Sequence, residues 1–165
     1  MNLFVISDTH IPKRAKALPD HVKAQAKSAD AIIHAGDFLN LDAYYDLCRY
    51  GPPVYAVYGN ADDKELKEVL PSRLILNLNG FALGVVHGHE GKGATTEKRA
   101  LNAFGNEKLD SLIFGHSHIP ISKQQDGVLL FNPGSPTDKR RQALFSYGII
   151  RLEEEIYAKH VFFKP

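Results

Sequence analysis

Short, unbroken apolar runs that stop abruptly at Asp, Asn or His recur along this chain, and they limit its fold more than any other feature. The first is Leu3-Phe4-Val5-Ile6, closed by Ser7. It shows no polar alternation, so it reads as a short strand buried on both faces. Asp8 and His10 follow at a spacing of two. On an extended backbone that spacing projects both side chains from one face, bringing a carboxylate and an imidazole together. Taken alone, Asp-x-His describes equally a turn in which Asp caps a backbone N–H and His is solvated.

The pattern repeats downstream. A helix is expected from Pro19 or Asp20 to about Ser28, with Val22 and Ala26 at helical spacing, before a second strand over Ala31–Ala35 that ends at Gly36 and Asp37. A helix over about Asp42–Tyr50 is stopped by Pro52 and Pro53, and a third strand over Val54–Tyr58 ends at Gly59, Asn60, Ala61 and Asp62. After a helix over about Asp63–Val69, Arg73–Leu78 and Phe81–Val86 flank Asn79-Gly80 as a hairpin that runs into His87, Gly88 and His89. A helix over about Thr96–Phe104 precedes a strand at Ser111–Phe114 that ends in Gly115, His116, Ser117 and His118. Two further hairpins are expected, Ile121–Gln124 with Val128–Phe131 around Asp126-Gly127, and Ala143–Leu152 with Ile156–Phe163. No repeat, low-complexity tract or linker interrupts residues 1–165, so a single domain is expected.

Spacing turns these strand ends into one site. From Asp8 to Asp37, Asn60, His87 and His116 the intervals run between 23 and 29 residues, about one strand-helix-strand unit each. In a mainly parallel sheet such ends lie side by side along the carboxyl edge, where open α/β sheets bind ligands. Gly36, Gly59, Gly88 and Gly115 each stand beside one of these residues, where a chain leaving a buried strand must turn tightly. Asp8, His10, Asp37, Asn60, His87, His116 and His118 are the candidate metal ligands. Seven exceed what one tetrahedral zinc takes and suit two divalent ions sharing a carboxylate. A nitrogen and oxygen set without thiolate favours manganese, iron, zinc or nickel over calcium.

Composition narrows the function classes. Lys and Arg number 20 against 19 Asp and Glu, so the chain lacks the basic surplus of a dedicated nucleic-acid binder. Cys48 is the sole cysteine, which excludes an internal disulfide or thiolate cluster and suits a reducing cytoplasm. No basic segment leading into an apolar one precedes the first strand, and no run is long enough to span a bilayer, so neither export nor a membrane partner is expected.

Asp8-x-His10, Gly36-Asp37, Gly59-Asn60, His87 and Gly115-His116-x-His118, in that order, resemble the motifs of the calcineurin-like metallophosphoesterases. The likeness is to their small single-domain bacterial and archaeal phosphodiesterases, and Asn132-Pro133-Gly134-Ser135 fits the same branch. The resemblance implies an α/β fold, a two-sheet β-sandwich flanked by helices (αββα). It implies that Asp8, His10 and His118 hold one ion, that Asn60, His87 and His116 hold the other, and that Asp37 bridges them. It further implies hydrolysis of a small phosphodiester or nucleotide-like substrate by a metal-bridging hydroxide, with diesters preferred to monoesters and manganese the first choice of ion. One position departs: many members carry His directly after the motif Asn, where it can protonate the leaving oxygen, and this chain has Ala61. General-acid help is worth about 10²–10⁴-fold, so either activated leaving groups are preferred or another acid such as His89 serves, making Asp37, Asn60 and His89 the candidate catalytic residues. The alternative is a non-catalytic protein-binding scaffold resembling the retromer scaffold subunit. A homo-oligomer fits the sequence as well as a monomer.

Other features have plainer accounts. His34 lies within an apolar strand and is expected to be buried and satisfied; His21 and His160 lack a motif and are expected at the surface. Lys13 and Arg14 follow the first ligand pair closely enough to touch substrate, and Arg140 lies in the basic run Lys139–Arg141, but a solvated basic face explains both groups. Gly91–Gly93 lacks the Gly-Lys-Ser/Thr ending of a nucleotide loop.

Overall fold

The computed structural model describes residues 1–164. Ten strands form two five-stranded sheets. The first sheet has the order β10-β9-β1-β2-β3, from β1 (Asn2–Ile6), β2 (Ala31–His34), β3 (Val54–Ala56), β9 (Phe145–Leu152) and β10 (Ile156–Phe163). The second has the order β4-β5-β6-β8-β7, from β4 (Arg73–Leu78), β5 (Phe81–Val86), β6 (Ser111–Phe114), β7 (Ile121–Gln125) and β8 (Val128–Asn132). In each sheet three strands run parallel, β1, β2 and β3 in one and β5, β6 and β8 in the other. Antiparallel strands complete both sheets.

The apolar runs lack alternation because both faces of these strands are covered. Leu3 and Val5 of β1 join Ile33, Val85, Ile113 and Phe131 in the layer between the sheets. Their neighbours Phe4 and Ile6 pack outward with Val22 and Ala26 of α1 (Asp20–Lys27), Leu47 of α2 (Leu41–Cys48) and Leu66 of α3 (Lys64–Val69). On the opposite side Leu112, Phe114 and Leu130 meet Ala100 and Phe104 of α4 (Thr96–Phe104). The result is the expected sandwich between helical layers. Asn40, Asp63 and Thr95 cap α2, α3 and α4, each accepting from a backbone N–H three residues on. Asn79-Gly80 and Asp126-Gly127 have positive φ at both positions, as tight hairpin turns with right-handed strand twist require.

Two expectations are corrected. The ligand-bearing strand ends do not line one parallel sheet: β1, β2 and β3 bring three of them, and β5 and β6 bring the others from the second sheet. A helical crossover sets strand spacing within a sheet, but the β4–β5 hairpin starts a new sheet, which periodicity cannot register. His160 is half-buried rather than a surface group, because its ring stacks on Phe131 at 4.6 Å and its Nε2 lies 2.7 Å from the Asn132 carbonyl. His34 and His21 stand as expected, fully buried and exposed respectively.

Phe131 of the second sheet packs directly on β9 of the first at Gly148. A Cβ added at Gly148 would lie 2.3 Å from a Phe131 ring carbon. Gly148→Ala is therefore expected to lower the unfolding free energy by about 1–3 kcal/mol through overpacking. Urea denaturation of the two proteins measures the difference.

Candidate metal centre

Five of the candidate ligands, Asp8, His10, Asp37, His116 and His118, have φ between 46° and 67°. This left-handed region costs about 1–2 kcal/mol per non-glycine residue. Asp and His tolerate it better than most residues do. Asp8 and His10 therefore do not converge by strand alternation. The backbone curls immediately after β1, and it is held there by Asp8 N–H donating to Gly36 O at 2.9 Å and His10 N–H donating to Asp37 O at 3.0 Å. Gly115 N–H donates to His87 O at 3.1 Å and joins the equivalent loops of the second sheet.

The side chains meet at two adjoining clusters. Asp8 Oδ1 lies 3.4 Å from His118 Nε2, which lies 3.4 Å from His10 Nε2. Asp37 Oδ2 lies 3.3 Å from His87 Nε2 and 3.6 Å from His10 Nε2, so it stands between the clusters. Asn60 Oδ1 approaches His87 Nε2 at 3.2 Å and His116 Nδ1 at 2.9 Å. All seven candidate ligands are thus brought together. His89 adjoins them, its ring centroid 5.2 Å from that of His87.

This donor set fits metal ions. His87 Nδ1 and His118 Nδ1 each meet a backbone carbonyl, of Ala35 and Asp138, which assigns the proton to Nδ1 and leaves an Nε2 lone pair facing the centre. His10 Nε2 faces that of His118, a contact between acceptors unless a proton or cation lies between them. Asp8 Oδ1 is fully buried with no hydrogen-bond partner, although Oδ2 of the same carboxylate accepts from Ser7 Oγ and His116 N–H. A buried carboxylate oxygen left unpaired is costly unless a cation takes it. Donor atoms bound at about 2.0–2.2 Å to one ion stand roughly 3–3.6 Å apart, the separation seen in both clusters.

Among the protein groups alone, burial lowers the His10 pKa against the raising pull of Asp37 and Asp8. His116 falls to about 4 through burial and the charge of His87. Burial also opposes ionisation of Asp37, but the His87 hydrogen bond, the His87 charge and the Ala61 N–H outweigh it and hold this carboxyl well below its usual range. His87 is the counterpart: burial lowers it, whereas Asp37 and Asp8 raise it further, to about 9. Without metal the centre thus combines an ionised Asp37 and a protonated His87 with His10 and His116 held neutral, and a metal would compete with the proton on His87.

A supporting tier escaped sequence reasoning. Asp62 accepts from Gly59 N–H at 2.7 Å, Leu39 N–H at 2.8 Å and Asp37 N–H at 3.1 Å, gathering the loops after β2 and β3 around one carboxylate. Its position closing Gly59-Asn60-Ala61-Asp62 was the available signal. Ser135 Oγ donates to Asp8 O and Thr137 Oγ1 to Thr9 O, while Asn132 Nδ2 donates to Gly115 O, so the Asn132–Thr137 segment fastens ligand loops from both sheets. Gly59 and Gly115 have no room for a side chain: a Cβ would lie 2.1 Å from Asp37 Oδ1 and 1.8 Å from Ser7 Oγ. Gly88 faces Thr96 instead of a ligand.

Asp62→Asn is expected to weaken divalent-metal binding by about 10–100-fold, because the amide cannot accept three N–H donors as the carboxylate does. Isothermal titration with Mn²⁺ measures this effect. Ser135→Ala is expected to act in the same direction through the Asp8 loop.

A profile of the calcineurin-like phosphoesterase superfamily domain matches residues 1–155. A probable metallophosphoesterase of Methanothermobacter thermautotrophicus is 38% identical over 141 residues, 85% of this chain and 80% of the relative. A phosphodiesterase of Methanocaldococcus jannaschii is 25% identical over 147 residues, 81% of this chain and 83% of that protein. Among solved structures, Vps29 of Chaetomium thermophilum superposes with a TM-score of 0.79 over all of both chains at 20% identity, a likeness of fold.

Proposed function

Since this chain belongs to the calcineurin-like phosphoesterase superfamily, we propose that it is a metal-dependent phosphodiesterase acting on a small phosphodiester or nucleotide-like substrate. The observation that carries this reading is the unpartnered, fully buried Asp8 Oδ1 among histidines that present lone pairs. Asp8, His10 and His118 would hold one ion, Asn60, His87 and His116 a second, and Asp37 both. Manganese suits the donors, with iron, zinc and nickel as alternatives. Two such ions, when bound, supply Lewis-acid polarisation of the phosphoryl oxygens and a nucleophile at neutral pH.

The chain's own residues set the rest. Ala61 N–H holds Asp37 Oδ1 at 2.8 Å, which keeps Oδ2 aimed between His10 and His87. Peptide carbonyls behind His87 and His118 fix their rings, so the geometry is in place before substrate arrives. Ala61 offers no proton to a leaving oxygen, and His89 is the neighbouring imidazole outside the proposed ligand set, its Nδ1 buried without a partner. We assign His89 to the leaving-group side and the preference to diesters with good leaving groups. Cys48 as the sole cysteine supports a cytoplasmic setting. Among the described residues no helix is long and apolar enough to cross a membrane.

The second reading, a protein-binding scaffold, draws on the fold shared with Vps29. A scaffold has no need of the complete ligand set, which favours the enzyme. Chelator-stripped protein is expected to hydrolyse bis(p-nitrophenyl) phosphate only after Mn²⁺ is restored, faster than p-nitrophenyl phosphate, and Asp37→Ala is expected to abolish the activity. Absence of hydrolysis with every divalent ion, despite bound metal, would favour the scaffold. Ala61→His is expected to raise the rate on alkyl-phosphate leaving groups by up to about 10²–10⁴-fold. An unchanged rate in steady-state assays would refute the missing-acid account.

A further inference from the structure

Two arginines from separate parts of the chain share one carboxylate oxygen beside the centre. Arg14 Nε lies 3.2 Å and Arg140 Nε 3.3 Å from Asp138 Oδ2. Arg14 sits four residues beyond His10, its N–H donating to the His10 carbonyl at 2.8 Å. Asp138 is tied to the other side of the same cluster: its carbonyl meets His118 Nδ1, and its N–H donates to Ser135 Oγ at 2.8 Å. The carboxylate is nearly buried, whereas the two arginine side chains are 53% and 54% exposed.

This arrangement exceeds a structural ion pair. Two guanidinium charges meet one carboxylate, leaving a positive surplus. Both contact it through Nε, so the outer Nη forks remain as donors, the geometry that matches phosphate oxygens two at a time. Arg140 also has φ +50°, a left-handed conformation that is costly for any residue with a Cβ. Neither arginine pairs with Asp8 or Asp37; both stand at the carboxylate behind His118.

We propose that Arg14 and Arg140 form a clamp for a second phosphate of the substrate, adjacent to the one hydrolysed. The preferred substrate is then a phosphodiester that carries a further phosphate, as in a 5′-phosphorylated dinucleotide. This inference rests on the phosphodiesterase reading of the centre. It gives a role to Arg14 and Arg140, which composition alone leaves as solvated basic residues.

The test compares pTpT with TpT, which differ by the terminal phosphate, using the Mn²⁺-loaded protein. Wild type is expected to favour pTpT in kcat/KM by about tenfold or more, the effect of one charge-assisted contact. Arg14→Met and Arg140→Met are expected to bring that ratio towards one. Arg140→Lys, which keeps the charge and loses the fork, is expected to lie between. An equal loss on both substrates would mean that the arginines only support Asp138 and His118, and would overturn the clamp. So would a wild-type ratio of one. If wild type cleaves neither dinucleotide, the phosphodiesterase reading is decided by bis(p-nitrophenyl) phosphate alone, and the clamp is judged by calorimetric binding of the same dinucleotide pair. A preference for pTpT that the Met variants abolish upholds it; equal binding ends it.

Discussion

The centre depends on one buried carboxylate. Asp8 follows β1 of the first sheet, yet its Oδ2 accepts the N–H of His116, which follows β6 in the second. The sandwich is therefore fastened at its ligand-bearing end through the same side chain whose other oxygen has no partner among protein atoms. Burying a carboxylate with half its acceptor capacity unused opposes folding. A divalent cation at Asp8 Oδ1 would offset that cost and so stabilise the joint between the two sheets.

The strain in this part of the molecule has the same origin. Left-handed backbone at Asp8, His10, Asp37, His116 and His118 turns each chain as it leaves its strand and aims the side chain inward. Such conformations persist only where surroundings over-determine them. Asp62 supplies that constraint for the loops after β2 and β3, and the Asn132–Thr137 segment supplies it for those after β1 and β6. His160, stacked on Phe131 and meeting the Asn132 carbonyl, extends the support to the outermost strand of the first sheet. Rigid scaffolding beneath short loops is what a centre of fixed donors requires.

Enzyme and scaffold readings share the fold and differ in what they ask of this end of the sandwich. A docking surface needs shape, whereas hydrolysis needs ionised carboxylates, neutral imidazoles and a way to handle the leaving group. The first two are present in Asp37, His10 and His116. Ala61 leaves the third to His89 or to the substrate itself. Arg14 and Arg140 add positive charge beside Asp138, and the proposed clamp would favour a substrate with more than one negative group.

Much of the fold was legible in the sequence because its signals are local. Unbroken apolar runs such as Leu3–Ile6 and Ser111–Phe114 marked strands covered on both faces, and Asn79-Gly80 and Asp126-Gly127 marked hairpins, since only particular residues accept positive φ at low cost. The seven candidate ligands were legible too, from residue type at strand ends and regular spacing. Tertiary structure decided what those signals do not encode. Whether strand ends belong to one sheet or two depends on pairing between distant segments, and it made Asp8 a link between sheets. That Asp8 and His10 converge through left-handed turns, and not through pleating, depends on the hydrogen bonds their N–H groups donate to the Gly36 and Asp37 carbonyls. Asp62, Ser135, Thr137 and Asp138 gained their roles the same way. Their side chains are chemically ordinary, and only the folded chain brings the N–H groups, carbonyls and guanidinium groups they hold within reach.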